Sequence, residues 1–171
     1  GDVLLVASGE SFTIDFGRVM AGFELIELEA LKGVELALDF LETPELAHSH
    51  ELYISGGGRR RFRSFNLNSF RFLRVSARGG NVKLFRPRAI FSSYPVLWRG
   101  AFTCSDASLN STWEIGRYVT QICMQTCHLD SPLHQEELGC TGDYLIEAAI
   151  NYVCFGETAL AAADIERTAR L

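Results

Sequence analysis

The stretch SDASLNSTWEIGRYVTQICMQTC, residues 105–127, decides the architecture of this 171-residue chain because the hydrophobic pattern changes its period there. Its apolar side chains recur every three to four residues, which predicts an amphipathic helix. Ser105 or Asp106 can cap the start of that helix. Its predicted buried face comprises Leu109, Trp113, Gly116, Cys123 and Cys127, widened by Ile115, Val119 and Ile122.

Upstream of residue 101, apolar and polar residues alternate with period two, which is typical of half-buried strands. Glycine-rich turns such as residues 56–58 separate the runs. We therefore predict an antiparallel β-sandwich domain over residues 1–100. The alternating residues are Phe12, Ile14 and Phe16, then Val34, Leu36, Leu38 and Phe40, and finally Phe70 and Phe72.

Downstream of residue 127, two more helices are predicted. One begins near Asp143 and ends at Gly156, and the other runs from about Thr158 to the end of the chain. The predicted buried side of the first comprises Leu145, Ile146, Ala149, Ile150 and Val153, and Leu160 and Ile165 are the apolar positions of the second. Three helices with apolar residues on more than one face make a poor closed domain. Residues 101–171 thus resemble the opening of a larger helical array, and the fold class is α+β with two domains.

Charge and composition narrow the class of partner. Residues 101–171 hold three basic and ten acidic residues, which argues against nucleic acid there. The basic run at residues 59–63 could suggest single-stranded nucleic acid, but an exposed strand edge with Phe62 pointing inward fits it better. No apolar stretch approaches the roughly 20 residues of a membrane-spanning helix, so we expect no membrane partner. No secretory signal is visible, and both a cytoplasmic and a periplasmic location stay open.

Five cysteines are present, at positions 104, 123, 127, 140 and 154. Their odd number and spacing do not indicate a disulfide framework. Cys123, Cys127 and Cys140, with His128 and His134, could be imagined as zinc ligands, but no Cys-x-x-Cys pair is present. We favour the interpretation that Cys123 and Cys127 are small buried side chains on a helix. No metal or other cofactor is expected.

The segment between the first two helices carries four carboxylates, Asp130, Glu136, Glu137 and Asp143. Glycoside hydrolysis needs carboxyl groups in different protonation states around one carbon atom, and this loop has that chemistry. Glu137 could raise the pKa of Glu136 and keep it protonated. The alternative is an acidic surface connection in which Asp143 caps the next helix.

The order and spacing of residues 104–143, CSDASLNSTWEIGRYVTQICMQTCHLDSPLHQEELGCTGD, resemble the opening of the catalytic domain in bacterial α-L-rhamnosidases of glycoside hydrolase family 78. Upstream, SFTIDFGRVMAGFELIELEA and SFRFLRVSARG resemble the β-sandwich that precedes this domain. The resemblance implies an (α/α)6 toroid, of which residues 101–171 are the truncated N-terminal part. It also implies hydrolysis of terminal α-L-rhamnosides with inversion, so a rhamnose-containing glycan or glycoside is the expected partner.

The resemblance also implies the roles of the loop residues. Glu136 matches the family's general acid, and Asp130 and Asp143 match carboxylates that hold rhamnose hydroxyls. The predicted substrate-binding residues are therefore Asp130, Asp143, His134 and Glu137. The general base would lie beyond Leu171, so we expect the chain to be an incomplete fragment that is inactive by itself.

Two positions depart from the family pattern. His134 stands where the family usually has arginine, and Cys140 where it commonly has tryptophan. These departures keep an alternative open, in which the chain is a non-catalytic carbohydrate-binding β-sandwich with a helical remnant. Trp113, at helical spacing from Leu109, is expected to pack in the core and not to stack on sugar. Exposed helical faces would favour self-association.

Overall fold

The computed structural model describes residues 3–132 and 140–170. Two compact units divide the chain, residues 1–91 and residues 92–171. The first is made of strands and the second of helices, as predicted. Within the described residues, no helix is both long and apolar enough to cross a membrane. The predicted domain boundary after residue 100 stays a prediction.

Seven strands form the first unit, and all pairings between them are antiparallel. The strands are β1 (Val3–Val6), β2 (Ser11–Ala30), β3 (Glu35–Leu41), β4 (Ala47–Ile54), β5 (Gly58–Arg63), β6 (Asn68–Arg78) and β7 (Val82–Phe91). Their order is β1-β7-β2-β6-β3-β4, and β5 pairs with β2.

The 20-residue strand β2 belongs to two ladders. Residues 11–22 pair with β6, whereas residues 22–30 pair with β7 and, on the other edge, with β5. Gly22 lies at the crossover, opposite both Asn68 and Phe91. A Cβ atom at Gly22 would lie 2.2 Å from the carbonyl oxygen of Ile90, so only glycine permits this approach.

The two ladders share one hydrophobic core. This arrangement is the predicted sandwich. Strand β2 contributes Ile26 and Leu28 from one ladder, and strand β3 contributes Leu36, Leu38 and Phe40 from the other. All five side chains have at most 1 % exposure. Strand β5 lies at an edge with its arginines exposed, and Phe62 packs against this core as predicted.

The alternation predicted for β6 fails in one place. Phe70 is fully buried, but Phe72 is only partly buried, and the inward series continues with Leu73 and Val75. The cause is a bulge in β2, where residues 16–19 stand opposite the single residue Arg71. A bulge of this kind shifts the face to which each following side chain points.

Three helices form the second unit: α1 (Ala107–Cys123), α2 (Thr141–Cys154) and α3 (Ala159–Ala169). Asp106 caps α1 by accepting hydrogen bonds from the backbone N–H groups of Ser108 and Leu109, as predicted. The N–H of Gly156 donates to the carbonyl of Asn151 and closes α2 at the predicted position.

The predicted buried faces of the helices are partly wrong. Trp113 packs beside the core cluster of Met124, Cys154 and Phe155, as expected. The residues that the pattern assigned to the core but the structure exposes are Leu109, Ile115, Gly116, Val119, Leu145, Ile146, Ala149, Val153 and Ile165. Helical periodicity identifies an apolar face, but the described residues provide no layer that covers this one.

Candidate functional site

The described part of the acidic loop begins with a tight reversal after α1. Met124 and His128 form an isolated antiparallel bridge, and the N–H of Leu129 returns to the carbonyl of Cys123 at 2.9 Å. The thiol of Cys123 reaches the carbonyl of Asp130 at 3.9 Å. The reversal therefore ties the residue before the acidic segment to the end of α1 and leaves the Asp130 side chain exposed.

A buried polar group holds this reversal against the other two helices. His128 is fully buried, and its Nδ1 lies 2.7 Å from Oδ2 of Asp164 on α3. Its Nε2 lies 3.3 Å from Nδ2 of Asn151 on α2. These contacts fit an imidazole that donates from Nδ1 to the carboxylate and accepts at Nε2. One side chain of the loop is thereby connected to both helices.

Asp164 also pairs with Arg167, one turn further along α3. The guanidinium lies 3.3 Å from Oδ1 of Asp164 and donates to the carbonyl of Thr126 at 2.8 Å. The backbone N–H of His128 donates to the same carboxylate at 3.3 Å. The carboxylate therefore accepts three hydrogen bonds while its side chain is 2 % exposed.

A further carboxyl group, Glu147, stands where several acidic side chains meet. Burial raises the pKa of Glu147 to about 8, and the nearby carboxylates of Asp143, Asp130 and Asp164 raise it as well. Its Oε2 is buried without a hydrogen-bond partner among residues 3–132 and 140–170. Glu147 is therefore largely protonated at neutral pH, close to three other acidic side chains.

The convergence on Glu147 brings together the two ends of the acidic segment. Asp143 lies in the first turn of α2, where the positive end of the helix dipole favours a carboxylate. Asp130 lies at the other end of the loop, yet both act on the same carboxyl group. A carboxyl group that keeps its proton beside other carboxyl groups is the kind of arrangement that acid catalysis on a glycoside uses.

The sequence interpretation missed Glu147, His128 and Asp164 as parts of this arrangement. The spacing between Asp143 and Glu147 was a usable signal, because residues four apart share a helical face. Glu136, Glu137 and His134 lie outside the described residues. Cys140 is described as an exposed residue at the start of α2, with no side-chain hydrogen bond to the helix.

The contacts of the described cysteine and histidine side chains do not support the alternative of a zinc site. Cys123, Cys127 and His128 are buried, and His128 uses its ring nitrogens on Asp164 and Asn151. In the part of the chain that the structure describes, no group of three metal-binding side chains forms.

The comparisons with known proteins first define the class of the helical unit. Residues 98–169 match the family model described as the bacterial alpha-L-rhamnosidase 6 hairpin glycosidase domain. The helical unit is thus similar to a glycosidase domain of this kind. No curated protein matches the chain.

The solved structures extend the match upstream through the β unit. A GH78 family rhamnosidase of Bacillus sp. GL1 is 35 % identical over 94 % of this chain, with a TM-score of 0.82. A Klebsiella oxytoca rhamnosidase with rhamnose bound is 20 % identical over 92 % of the chain, also with a TM-score of 0.82, and supports the fold. The α-L-rhamnosidase from Dictyoglumus thermophilum has 16 % identity over 94 % of the chain and a TM-score of 0.69.

These matches confirm the resemblance seen in the sequence: the helical unit matches the rhamnosidase glycosidase-domain model, and most of the chain is similar to a GH78 family rhamnosidase. It spans 17 %, 35 % and 20 % of the length of the three solved chains, respectively. The region that it shares with them is the β unit followed by the helices of the second unit.

Proposed function

We propose that this chain is part of a longer inverting α-L-rhamnosidase and contributes the acid half of its active site. The observation that carries this proposal is the convergence of Asp130 and Asp143 on one carboxyl group, in a loop with the family's spacing. The proposed substrate is a terminal α-L-rhamnoside, in keeping with the rhamnose bound to the Klebsiella oxytoca relative.

In the proposed reaction, Glu136 donates a proton to the glycosidic oxygen as the bond to the anomeric carbon breaks. Glu137 beside it disfavours ionisation of Glu136 and so helps to keep it protonated. Asp130 and Asp143 accept hydrogen bonds from sugar hydroxyls, and an ionised carboxylate accepts the strongest of these. His134 offers a further contact in the place where relatives carry arginine.

Glu147 supports this assignment of charges. Several carboxylates at close range cannot all ionise, and one of them must keep its proton. Because Glu147 keeps its proton near neutral pH, it adds no negative charge beside Asp130 and Asp143, whose proposed role is to bind hydroxyl groups. A neutral Glu147 therefore suits a site that binds sugar through the other two.

Inversion further requires a general base that activates water on the opposite face of the sugar. We assign that base to a part of the enzyme beyond Leu171, in an (α/α)6 toroid that residues 101–171 begin. The exposed apolar side chains of α1 and α2 support this proposal, since later helices of a toroid would cover them. The 171-residue chain would then lack half of the catalytic machinery.

The test is the leaving-group dependence of Glu136→Gln in an enzyme that contains this chain and the rest of the toroid. A general acid contributes about 10² to 10⁴-fold to the rate. We expect a loss of kcat/KM in that range for natural rhamnosides, whose alkoxide leaves poorly, and a smaller loss for activated aryl rhamnosides.

Glu137→Gln is the matched control, because it removes the neighbouring carboxylate and should cause the smaller loss. Equal losses on both substrates for Glu136→Gln, or a larger loss for Glu137→Gln, would move the acid to another residue. Binding of rhamnosides without any hydrolysis by the wild-type enzyme would favour the carbohydrate-binding module.

A further inference from the structure

Strand β2 places a carboxyl group inside the sandwich. Glu24 occupies the same face as Ile26 and Leu28, and like them it has 0 % exposure. Burying an ionised carboxylate costs many kcal/mol unless it is paired, so such residues seldom occur unpaired in a core. The position of Glu24 therefore calls for a partner.

The polar neighbours of Glu24 come from three other parts of the β unit. Ser64, after β5, has a hydroxyl beside the Glu24 carboxyl, and Glu51 of β4 is close enough to act on its charge. Asn68, the first residue of β6, donates to Oε1 of Glu51 at 3.3 Å. We name Glu24, Glu51, Ser64 and Asn68 the inter-sheet polar cluster.

The cluster lacks a compensating positive charge. Both carboxyl oxygens of Glu24 and the hydroxyl of Ser64 are buried without a hydrogen bond of normal geometry to any residue in 3–132 or 140–170. Within residues 3–132 and 140–170, no ion pair joins Glu24 or Glu51 to a basic side chain. The backbone N–H of Ser64 donates to the carbonyl of Glu24 at 3.2 Å, which places Ser64 directly beside Glu24. Three buried oxygen atoms thus lie close together without a positively charged partner.

We propose that the inter-sheet polar cluster binds one Ca²⁺ ion, with Glu24 and Glu51 as its charged ligands and the Ser64 hydroxyl as a neutral one. Two carboxylates balance the charge of a divalent cation. Ca²⁺ takes six to eight oxygen ligands in adaptable geometry, and the cluster offers oxygen but neither thiolate nor imidazole.

Asn68 acts as a positioning residue in this site. It is 2 % exposed, its Nδ2 holds the Glu51 carboxylate, and its Oδ1 accepts a hydrogen bond from Ser49 at 2.7 Å. Such outer contacts orient the ligands of a metal ion. The ion can enter from the side of Glu51, which is partly exposed, near the surface connection that contains the 89 % exposed Phe65.

The experiment uses the 171-residue chain after removal of bound metal with a chelator. Ca²⁺ is titrated in by isothermal calorimetry, and thermal unfolding is followed by circular dichroism with and without 10 mM Ca²⁺. With two carboxylates we expect one ion per chain, a Kd of about 10⁻⁴ to 10⁻³ M and a higher unfolding midpoint in Ca²⁺.

Glu24→Gln should weaken Ca²⁺ binding at least about tenfold and abolish the shift of the midpoint. Glu51→Gln, at a partly exposed position, should have the same effect and serves if Glu24→Gln does not fold. Glu29→Gln is the matched control, because Glu29 lies on the same strand but pairs with Lys83 at the surface, and it should bind Ca²⁺ like the wild type.

Two results would overturn the proposal. One is a wild-type chain whose heat signal and unfolding midpoint do not respond to Ca²⁺, which would leave Glu24 a protonated core carboxyl. The other is Ca²⁺ binding that both Glu24→Gln and Glu51→Gln retain, which would place the ion elsewhere.

Discussion

Replacing Asp164 with alanine should strongly destabilise the helical unit. The substitution leaves the Nδ1–H and the backbone N–H of His128 without an acceptor in a fully buried position. Each unsatisfied buried donor costs about 1 to 3 kcal/mol. Two such donors together give an expected cost of about 2 to 6 kcal/mol. For a unit of this size, each kcal/mol lowers the unfolding midpoint by about 4 to 8 °C.

The assay is thermal and urea unfolding of the 171-residue chain, followed at the helical circular dichroism band. Glu166→Ala is the control, since Glu166 is also on α3 but makes only an exposed 3.5 Å contact with Arg170. That contact is worth at most about 0.5 kcal/mol. The reasoning would be refuted if Asp164→Ala and Glu166→Ala unfolded at the same temperature and urea concentration.

Three further predictions concern other parts of the chain. The folded-state pKa of Glu147 lies near 8, above its ordinary 4.5, so its stabilising contribution is complete below pH 4.5 and is lost as the pH rises through 8. Urea midpoints between pH 4 and 9 should show a loss of about 1 to 2 kcal/mol after solvent screening of a partly exposed group, and Glu147→Gln should flatten the profile. Gly22→Ala should destabilise the β unit by more than about 2 kcal/mol, because a Cβ there would lie 2.2 Å from the carbonyl oxygen of Ile90. Gly116→Ala should instead stabilise α1 by about 0.5 to 1 kcal/mol, because the space around Gly116 is open. Calorimetric unfolding of both variants measures the sign of each change. The chain alone should associate through its exposed helical faces and should not hydrolyse an aryl α-L-rhamnoside. Sedimentation velocity measures the association and a turnover assay measures the hydrolysis. An active purified monomer would contradict this prediction.

The candidate site could be predicted from the sequence only in part. Asp130 and Asp143 were predicted to bind substrate because they stand in a loop with the family's order and spacing, and that role stays a prediction. Their convergence on Glu147 could not be inferred in full, because only the fold brings Asp130 from the far end of the loop to α2. The roles of Glu136, Glu137 and His134 stay predictions.

Burial of the helices also required the tertiary structure. The period of α2 correctly predicted a helix with Leu145 and Val153 on one apolar face. It could not tell that these side chains are 75 % and 61 % exposed, because burial depends on a covering layer and not on periodicity. Tyr144 and Asn151 are buried instead. Tyr144 packs with Cys123, and Asn151 contacts His128, and the pattern does not encode either contact.

The sequence by itself determined the local structure of this protein. Period-two alternation, helical period, the Asp106 cap and the glycine turns act within a few residues, so they specify strands, helices and their ends. Tertiary structure alone decided the partners that lie far apart in the chain. His128 meets Asp164 across 36 residues, and Glu24 enters the interior because it shares a face with Ile26, not because a carboxyl group prefers a core. Such contacts follow from how whole elements pack, and the energy of each depends on neighbours that no local pattern contains.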